Sequence, residues 1–259
     1  MPVTVSKEGA VATIRMEWQE RRNALRPENA DEICALLADL DDTEAVILAG
    51  GEQSFCSGAD LRRVQEIVAA GGEAAIRNTI YRSFQGLAKA IRGFPGVVIA
   101  AVDGPALGLG ADLALVCDAT YVGSTGWIDQ GWSRIGAIPG IGGAWLTLRR
   151  AGYTAAWEFA MSGRRWSGLE LERIGLAIAA PGKAEDTAAE RARWITSHPG
   201  GVARAYKSLF LRATEESYEV HLERCGSYQG RLASDPQHRT QALSVLETGR
   251  SEGDPAHVG

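Results

Sequence analysis

Two short apolar runs, Val46–Ala49 and Val97–Val102, each lead through a glycine-bearing turn into a helix-like pattern. The turns read Phe55-Cys56-Ser57-Gly58-Ala59-Asp60-Leu61 and Ala106-Leu107-Gly108-Leu109-Gly110-Ala111-Asp112. Runs this short and this apolar suit buried strands. Two backbone N–H groups at such strand-to-helix turns can converge on one carbonyl oxygen, building an oxyanion hole without charged side chains. Roughly fifty residues separate the turns, which lets two successive units of a repeating strand–helix fold face one cleft.

The surrounding pattern extends this repeat. Val3–Val5 and Val11–Met16 alternate like two strands, with Lys7-Glu8-Gly9 as the turn. Pro27 suits the first position of a helix that carries Ile33, Leu36, Leu37 and Leu40 at helical spacing. Helices are expected over Leu61–Val68 and over Glu73–Arg92, the latter ending before Gly93-Phe94-Pro95-Gly96. Asp118–Val122 reads as a further strand, and Ala144–Arg150 as a helix opened by Gly136, Gly140, Gly142 and Gly143. After Gly152 the pattern is mostly helical to about Gly249, with breaks at Gly163, Gly182 and Pro199-Gly200. A mobile tail is expected around Gly253, Asp254 and Pro255. The first two-thirds therefore repeats strand, strand, helix, and the last third reads as a helical appendage.

Composition removes several function classes. The 259 residues are 45% hydrophobic, enough for one large core. A net charge of -5 argues against a nucleic-acid or anionic-membrane surface. No apolar run approaches the roughly 20 residues that span a bilayer. Met1-Pro2-Val3-Thr4-Val5 lacks a basic region followed by an apolar core, so no secretory signal is expected. Cys34, Cys56, Cys117 and Cys225 are scattered without a paired spacing, which suits free thiols in a reducing cytoplasm. His198, His221, His238 and His257 all lie in the last quarter without metal-ligand spacing, and no metal site is expected. A dinucleotide fingerprint starting at Gly140 fails at Trp145, where its third glycine would fall. No nucleophile-elbow pattern is present, which disfavours a serine hydrolase.

Arg22-Asn23-Ala24-Leu25, the Phe55–Leu61 turn, Asp103-Gly104-Pro105-Ala106-Leu107-Gly108 and Gly136-Ala137-Ile138-Pro139-Gly140-Ile141-Gly142-Gly143 occur in register. Together they resemble the enoyl-CoA hydratase/isomerase (crotonase) superfamily, over about residues 3–250. The resemblance implies an α/β fold, the crotonase (ClpP-like) spiral of ββα units, over residues 1–198. It implies a C-terminal helical region over 199–259, used for trimerisation, and a homotrimer or hexamer. It implies lyase or isomerase chemistry on an acyl-CoA thioester of the kind met in fatty acid metabolism. Coenzyme A is then part of the substrate, and no separate cofactor, nucleic acid or membrane partner is expected. The thioester oxygen would lie between the amides of Ala59 and Leu109. The family usually has glycine at the second point, and the leucine here keeps the backbone donor. Losing one such donor typically costs about 3 kcal/mol of barrier.

The acid–base positions depart from the family pattern. Its first glutamate falls on Asp112, a carboxylate one methylene shorter whose pKa an apolar acyl neighbour would raise. Asp112 is read as the main acid/base; capping or ion pairing within the helix is the alternative. The second glutamate falls on Trp132, whose indole N–H donates but accepts no proton. Some relatives, chlorobenzoyl-CoA dehalogenase among them, also have tryptophan there, but that enzyme's nucleophilic aspartate falls on Gly140. Trp132 either lines an aromatic acyl pocket, donates to a carboxylate or water, or simply packs. Asp129 is either a replacement acid or a solvated loop residue. One carboxylate suffices for an allylic proton shift, and hydration, decarboxylation or hydrolysis on the same scaffold stay open. A noncatalytic acyl-CoA binder is the rival class. On the coenzyme side, Arg22 and Arg62 match positions near the phosphates, unless they are ordinary surface arginines. Backbone around Ala24, Ser57 and Asp60 matches adenine and pantetheine contacts. The helix from Leu61 and the segment from Glu73 should wall the acyl pocket.

Overall fold

The computed structural model describes residues 3–40, 42–198 and 201–248. Strands β1 (Val3–Glu8) and β2 (Val11–Met16) form an antiparallel hairpin in which Glu8 pairs with Val11. The turn is thus Gly9-Ala10 rather than Lys7-Glu8-Gly9, because Gly9 supplies the positive φ (58°) of a two-residue turn. Helix α1 (Pro27–Ala38) starts at Pro27 as expected, and β3 (Ala45–Ala49) follows. Helix α2 (Leu61–Ala75) breaks at Gly72 and runs through a π-helical turn, Ile76–Tyr81, into α3 (Arg82–Gly93). The gap expected between two separate helices is therefore one glycine wide. Next come β4 (Val97–Val102), β5 (Pro105–Leu107), α4 (Leu109–Val116), β6 (Ala119–Val122) and β7 (Trp127–Asp129). Helix α5 (Gly143–Met161) extends well past the expected Arg150, with a kink at Gly152. The remainder is β8 (Trp166–Ser167), α6 (Gly168–Arg173), β9 (Ile178–Ala179), α7 (Ala184–Thr196), α8 (Val202–Arg212), α9 (Tyr218–Ala233) and α10 (Pro236–Thr248).

Six strands form one sheet in the order β1-β2-β3-β4-β6-β9, parallel from β2 onward. Alternate residues face opposite layers, as the period of two requires. Val46, Leu48, Val98, Ala100 and Val102 join the main core, with α1, α3 and α4 supplying Ile33, Leu87 and Leu113. Ala45, Ile47, Ala49, Ile99 and Ala101 face the second layer, where α7 brings Ala184, Ala188 and Ala192. Three fully buried alanines spaced four apart let α7 lie close against β3 and β4. Both faces are covered, which explains the continuous apolar runs of β3 and β4.

A second sheet, β5-β7-β8, stands beside the first. The sequence reading contained none of its strands, nor β9. The mixed α/β spiral of strand pairs and helices is nevertheless the architecture expected. Cys34, Cys56, Cys117 and Cys225 form no disulfide among the described residues. Among the described residues no helix is long and apolar enough to cross a membrane. The expected boundary at 198/199 touches residues 199–200, and the expected tail at Gly253, Asp254 and Pro255 follows residue 248; both lie outside the described residues.

Candidate active site

Three short backbone segments run side by side. Leu25 N donates to Gly58 O at 2.7 Å, and Asp60 N donates to Leu25 O at 2.9 Å. These bonds place Ala59 directly opposite Leu25 in a parallel bridge. Ala59's own N–H and C=O therefore point away from Leu25, toward the next segment. That segment is β5 and its turn: Cys56 N donates to Pro105 O at 3.1 Å, and Leu107 N donates to Cys56 O at 2.9 Å. Asn23, fully buried with φ 53°, pegs the layers together by donating to Met16 O, Ser54 O and Phe55 O.

The approach of the second turn depends on glycine. A Cβ on Gly110 would lie 2.0 Å from Cys56 O, so any larger residue would push α4 off the Cys56 turn. Gly108, at φ 56°, turns the chain into α4 and leaves Leu109 as the first helical residue. A Cβ on Gly58 would lie 3.7 Å from Leu109 N, which measures how closely the two turns face each other. Among the described residues neither the Ala59 nor the Leu109 amide donates a hydrogen bond. Ala59 thus stands just before α2 and Leu109 opens α4, each with its amide free at one of the two facing turns. The Leu109 side chain is 2% exposed and packs into the main core.

Asp112 is in the first turn of α4 and is fully buried. Among the described residues it neither caps the helix nor pairs with a cation. Its Oδ1 accepts from Gln130 Nε2 at 2.9 Å, while its Oδ2 is buried without a partner. Burial pushes its pKa up to about 7, against the opposing pull of the Gln130 and Trp132 N–H groups. A Cβ on Gly143 would collide with Asp112 Oδ1, at 1.9 Å, so glycine at the start of α5 is what admits the carboxyl. Gln130 is a residue the sequence reading missed. It follows β7 directly, and only the β5–β7 pairing, Leu107 opposite Asp129, brings it to α4.

Trp132 begins a short helical turn between Gly131 and Gly136, both left-handed. Its ring lies 3.8 Å, measured at Cε2, from where a Cβ on Gly108 would stand. The indole edge therefore sits at the Gly108–Leu109 turn. Its buried N–H acts on the Asp112 carboxyl, favouring the charged form, and has no other partner among the described residues. Asp129 is not a solvated loop residue. It is 3% exposed, ion-paired to Arg134 Nη2 at 2.6 Å, and its O accepts from Gly108 N at 2.9 Å. It braces the turn that carries Leu109.

A family model for enoyl-CoA hydratase/isomerase matches residues 6–244. The chain belongs to that family. Enoyl-CoA hydratase domain-containing protein 2, mitochondrial, of Homo sapiens is 35% identical over 255 residues, 96% of this chain and 86% of that protein. Short-chain-enoyl-CoA hydratase of Clostridium acetobutylicum is 28% identical over 259 residues, 97% of each chain. The crystal structure of enoyl-CoA hydratase from Bacillus anthracis is similar at a TM-score of 0.86 and 26% identity, covering 97% of this chain and 98% of that one.

In this member of the enoyl-CoA hydratase/isomerase family, the coenzyme-side candidates gather along the Leu25–Ala59 bridge. Arg22 and Arg62 are exposed, and neither guanidinium has a partner among the described residues. Ser57 N donates to Arg22 O at 3.0 Å, and Ala24 N to Arg21 O at 3.0 Å. Asp60 caps α2 through Arg63 N at 3.2 Å and accepts from Arg26 Nε at 2.7 Å. Although burial pulls the other way, that Arg26 bond holds the Asp60 pKa below the usual range. The expected acyl wall is half-buried: Val64, Ile67, Val68 and Ile76 pack on the main core. Tyr81 covers Gly140, the glycine loop's closest contact with this wall. Two large cavities among the described residues, of about 890 and 820 Å³, are elsewhere, around Phe94 and Lys207 and around Trp145 and Phe210. Neither is lined by Ala59, Leu109 or Asp112.

Proposed function

We propose that this chain is an acyl-CoA-processing enzyme of hydratase/isomerase type that works through a thioester enolate. The amides of Ala59 and Leu109 hold the carbonyl oxygen, and Asp112 is the main acid/base. One observation carries the reading: a fully buried carboxyl, fixed through one oxygen by Gln130 and unpartnered at the other, whose pKa is near 7. Such an acid can both take and return a proton at neutral pH. Proton removal beside the thioester sends an electron pair onto the carbonyl oxygen. Donors prepositioned there stabilise the enolate more than the ground state. The relatives' own activity as enoyl-CoA hydratases, by name, supports an enoyl thioester as substrate.

Arg22 and Arg62 are read as phosphate contacts for coenzyme A, with backbone at Ala24, Ser57 and Asp60 along the adenine and pantetheine. Their lack of acidic partners supports this, because an unpaired guanidinium fork suits phosphate. The exposed Trp145, Leu148, Tyr153, Trp157 and Met161 along α5 support self-association, as a homotrimer or hexamer with residues 199–259 contributing.

The test is turnover. Purified protein is given crotonyl-CoA and a β,γ-enoyl-CoA, and thioester absorbance is followed for the native chain and for Asp112→Asn. Turnover is expected, at least tenfold lower in the variant. Equal rates would remove Asp112 from the mechanism. Tight binding of acyl-CoA esters with no turnover would favour a noncatalytic binder.

A further inference from the structure

Two cavities adjoin at the start of β4, the end of the strand remote from the Leu109 turn, and Arg92, Lys207 and Leu211 line both. One, of about 820 Å³, is lined by Trp145 and Leu146 of α5, Trp194 of α7, and Tyr206 and Phe210 of α8. A cavity of this size and apolar lining suits a small-molecule chain. Its charges are unbalanced. Arg92, Arg149 and Arg150 also line it, and among the described residues none of the three bonds a carboxylate. Arg92 and Arg149 lie over the Trp145 ring, 5.1 and 4.3 Å from its centre. Arg150 donates to Cys117 O at 3.1 Å, and burial pulls its pKa down. Asp118, the acid in this lining, is already paired with Lys207 at 2.8 Å. The adjoining cavity, of about 890 Å³, adds Arg204, Arg212 and Arg231 against Glu44 and Glu215. None of these five makes an ion pair among the described residues, and the Arg204 Nε is buried without an acceptor.

We propose that the apolar cavity takes an alkyl or acyl chain whose phosphate head lies at Arg92, where the two cavities meet. Guanidinium groups left beside an apolar wall without a counter-anion are costly, and an anionic head relieves that cost. Arg92 faces both cavities, so the cations of each act on a head placed there. Together they carry more positive charge than one carboxylate neutralises. Their planar forks also match the oxygens of a phosphate. The chain then runs along Trp145, Tyr206 and Phe210, and each methylene it buries adds to binding. Tyr206 is 56% and Phe210 71% exposed in the chain alone, so the ligand covers surface that water now meets. This site is separate from the thioester chemistry, and its test does not depend on the role of Asp112.

Calorimetric titration of the full chain with dodecyl phosphate, kept below its micelle concentration, tests this. One molecule is expected to bind per chain. Dodecanoate, with a single charge, and inorganic phosphate, with no chain, are each expected to bind about tenfold more weakly or worse. Phe210→Asp sets a charge where the chain would run, and Arg92→Gln removes the fork at the head. Each is expected to weaken binding by about tenfold or more while keeping the native Tm. Arg22→Gln, at the proposed coenzyme contact, is expected to leave the affinity unchanged. Equal affinity in the native chain and both cavity variants places the ligand elsewhere and overturns the proposal. So does a loss of affinity in Arg22→Gln, or dodecanoate binding as tightly as dodecyl phosphate. A native chain that binds nothing also overturns it, and a changed particle mass in Phe210→Asp would then show that a second copy of the chain covers the cavity.

Discussion

At the scale of single residues, Asp112 is the most consequential group. The fold holds it without a counter-cation, so burial raises its pKa to about 7. Between the ordinary carboxylate range and that value, the folded chain keeps a proton that the unfolded chain has released. Stability therefore falls as pH rises through this window and levels off above it. Asp112→Asn removes the slope. Denaturant melts at about pH 4 and pH 8 should show the variant near native stability in acid and about 1–3 kcal/mol more stable in base. An identical slope in both proteins would mean the carboxyl titrates normally. Asp112 was legible in the sequence because it keeps its place after the glycine turn. Gln130 was not: it is eighteen positions away, and no local pattern ties it to Asp112. Asp129 misled for a related reason. A loop aspartate is ordinarily solvated, and only the folded chain brings Arg134 to it.

At the scale of elements, the decisive fit is α4 against the Cys56 turn. Gly110→Ala would put a methyl 2.0 Å from a backbone oxygen that has little room to retreat. Overpacking of this kind typically costs about 1–3 kcal/mol. In a chain of this size that lowers Tm by roughly 2–4 °C per kcal/mol. Turnover should fall by more than the stability loss explains, because the Leu109 amide moves with the helix. A variant with native Tm and native rate would show that the two turns are not closely coupled. The turns themselves were readable, since glycine is required at the points of closest approach. The strands of the second sheet were not. β5, β7 and β8 are two or three residues long, too short for any alternation, and pair only because the glycine turns bring them together. The long α2–α3 run was read as two helices because Gly72 breaks the pattern for a single residue.

At the scale of the whole molecule, the C-terminal helices are anchored by one buried cation. Lys207 on α8 donates to Ile91 O at 3.1 Å and Gly96 O at 3.0 Å, and pairs with Asp118 at 2.8 Å. It thus ties α8 to the end of α3 and the start of β4. Burial raises the Asp118 pKa even with Lys207 alongside. Lys207→Met should cost about 3–5 kcal/mol in urea unfolding, the usual cost of leaving a buried partner unpaired. Adding Asp118→Asn should recover part of that loss; no recovery would show that the carbonyl contacts, not the ion pair, carry the anchor. The helical character of this region was legible from its pattern. Its attachment was not, because a lone lysine on a helix reads as solvated until the sheet is in place.

The claim on which the whole account rests is that the Ala59 and Leu109 amides grip a thioester carbonyl. Infrared difference spectroscopy of a saturated acyl-CoA with an isotope-labelled carbonyl measures this directly. The bound carbonyl stretch is predicted to move well below its value in water, as two aligned donors draw electron density onto the oxygen. A bound carbonyl at its solution frequency would contradict the account.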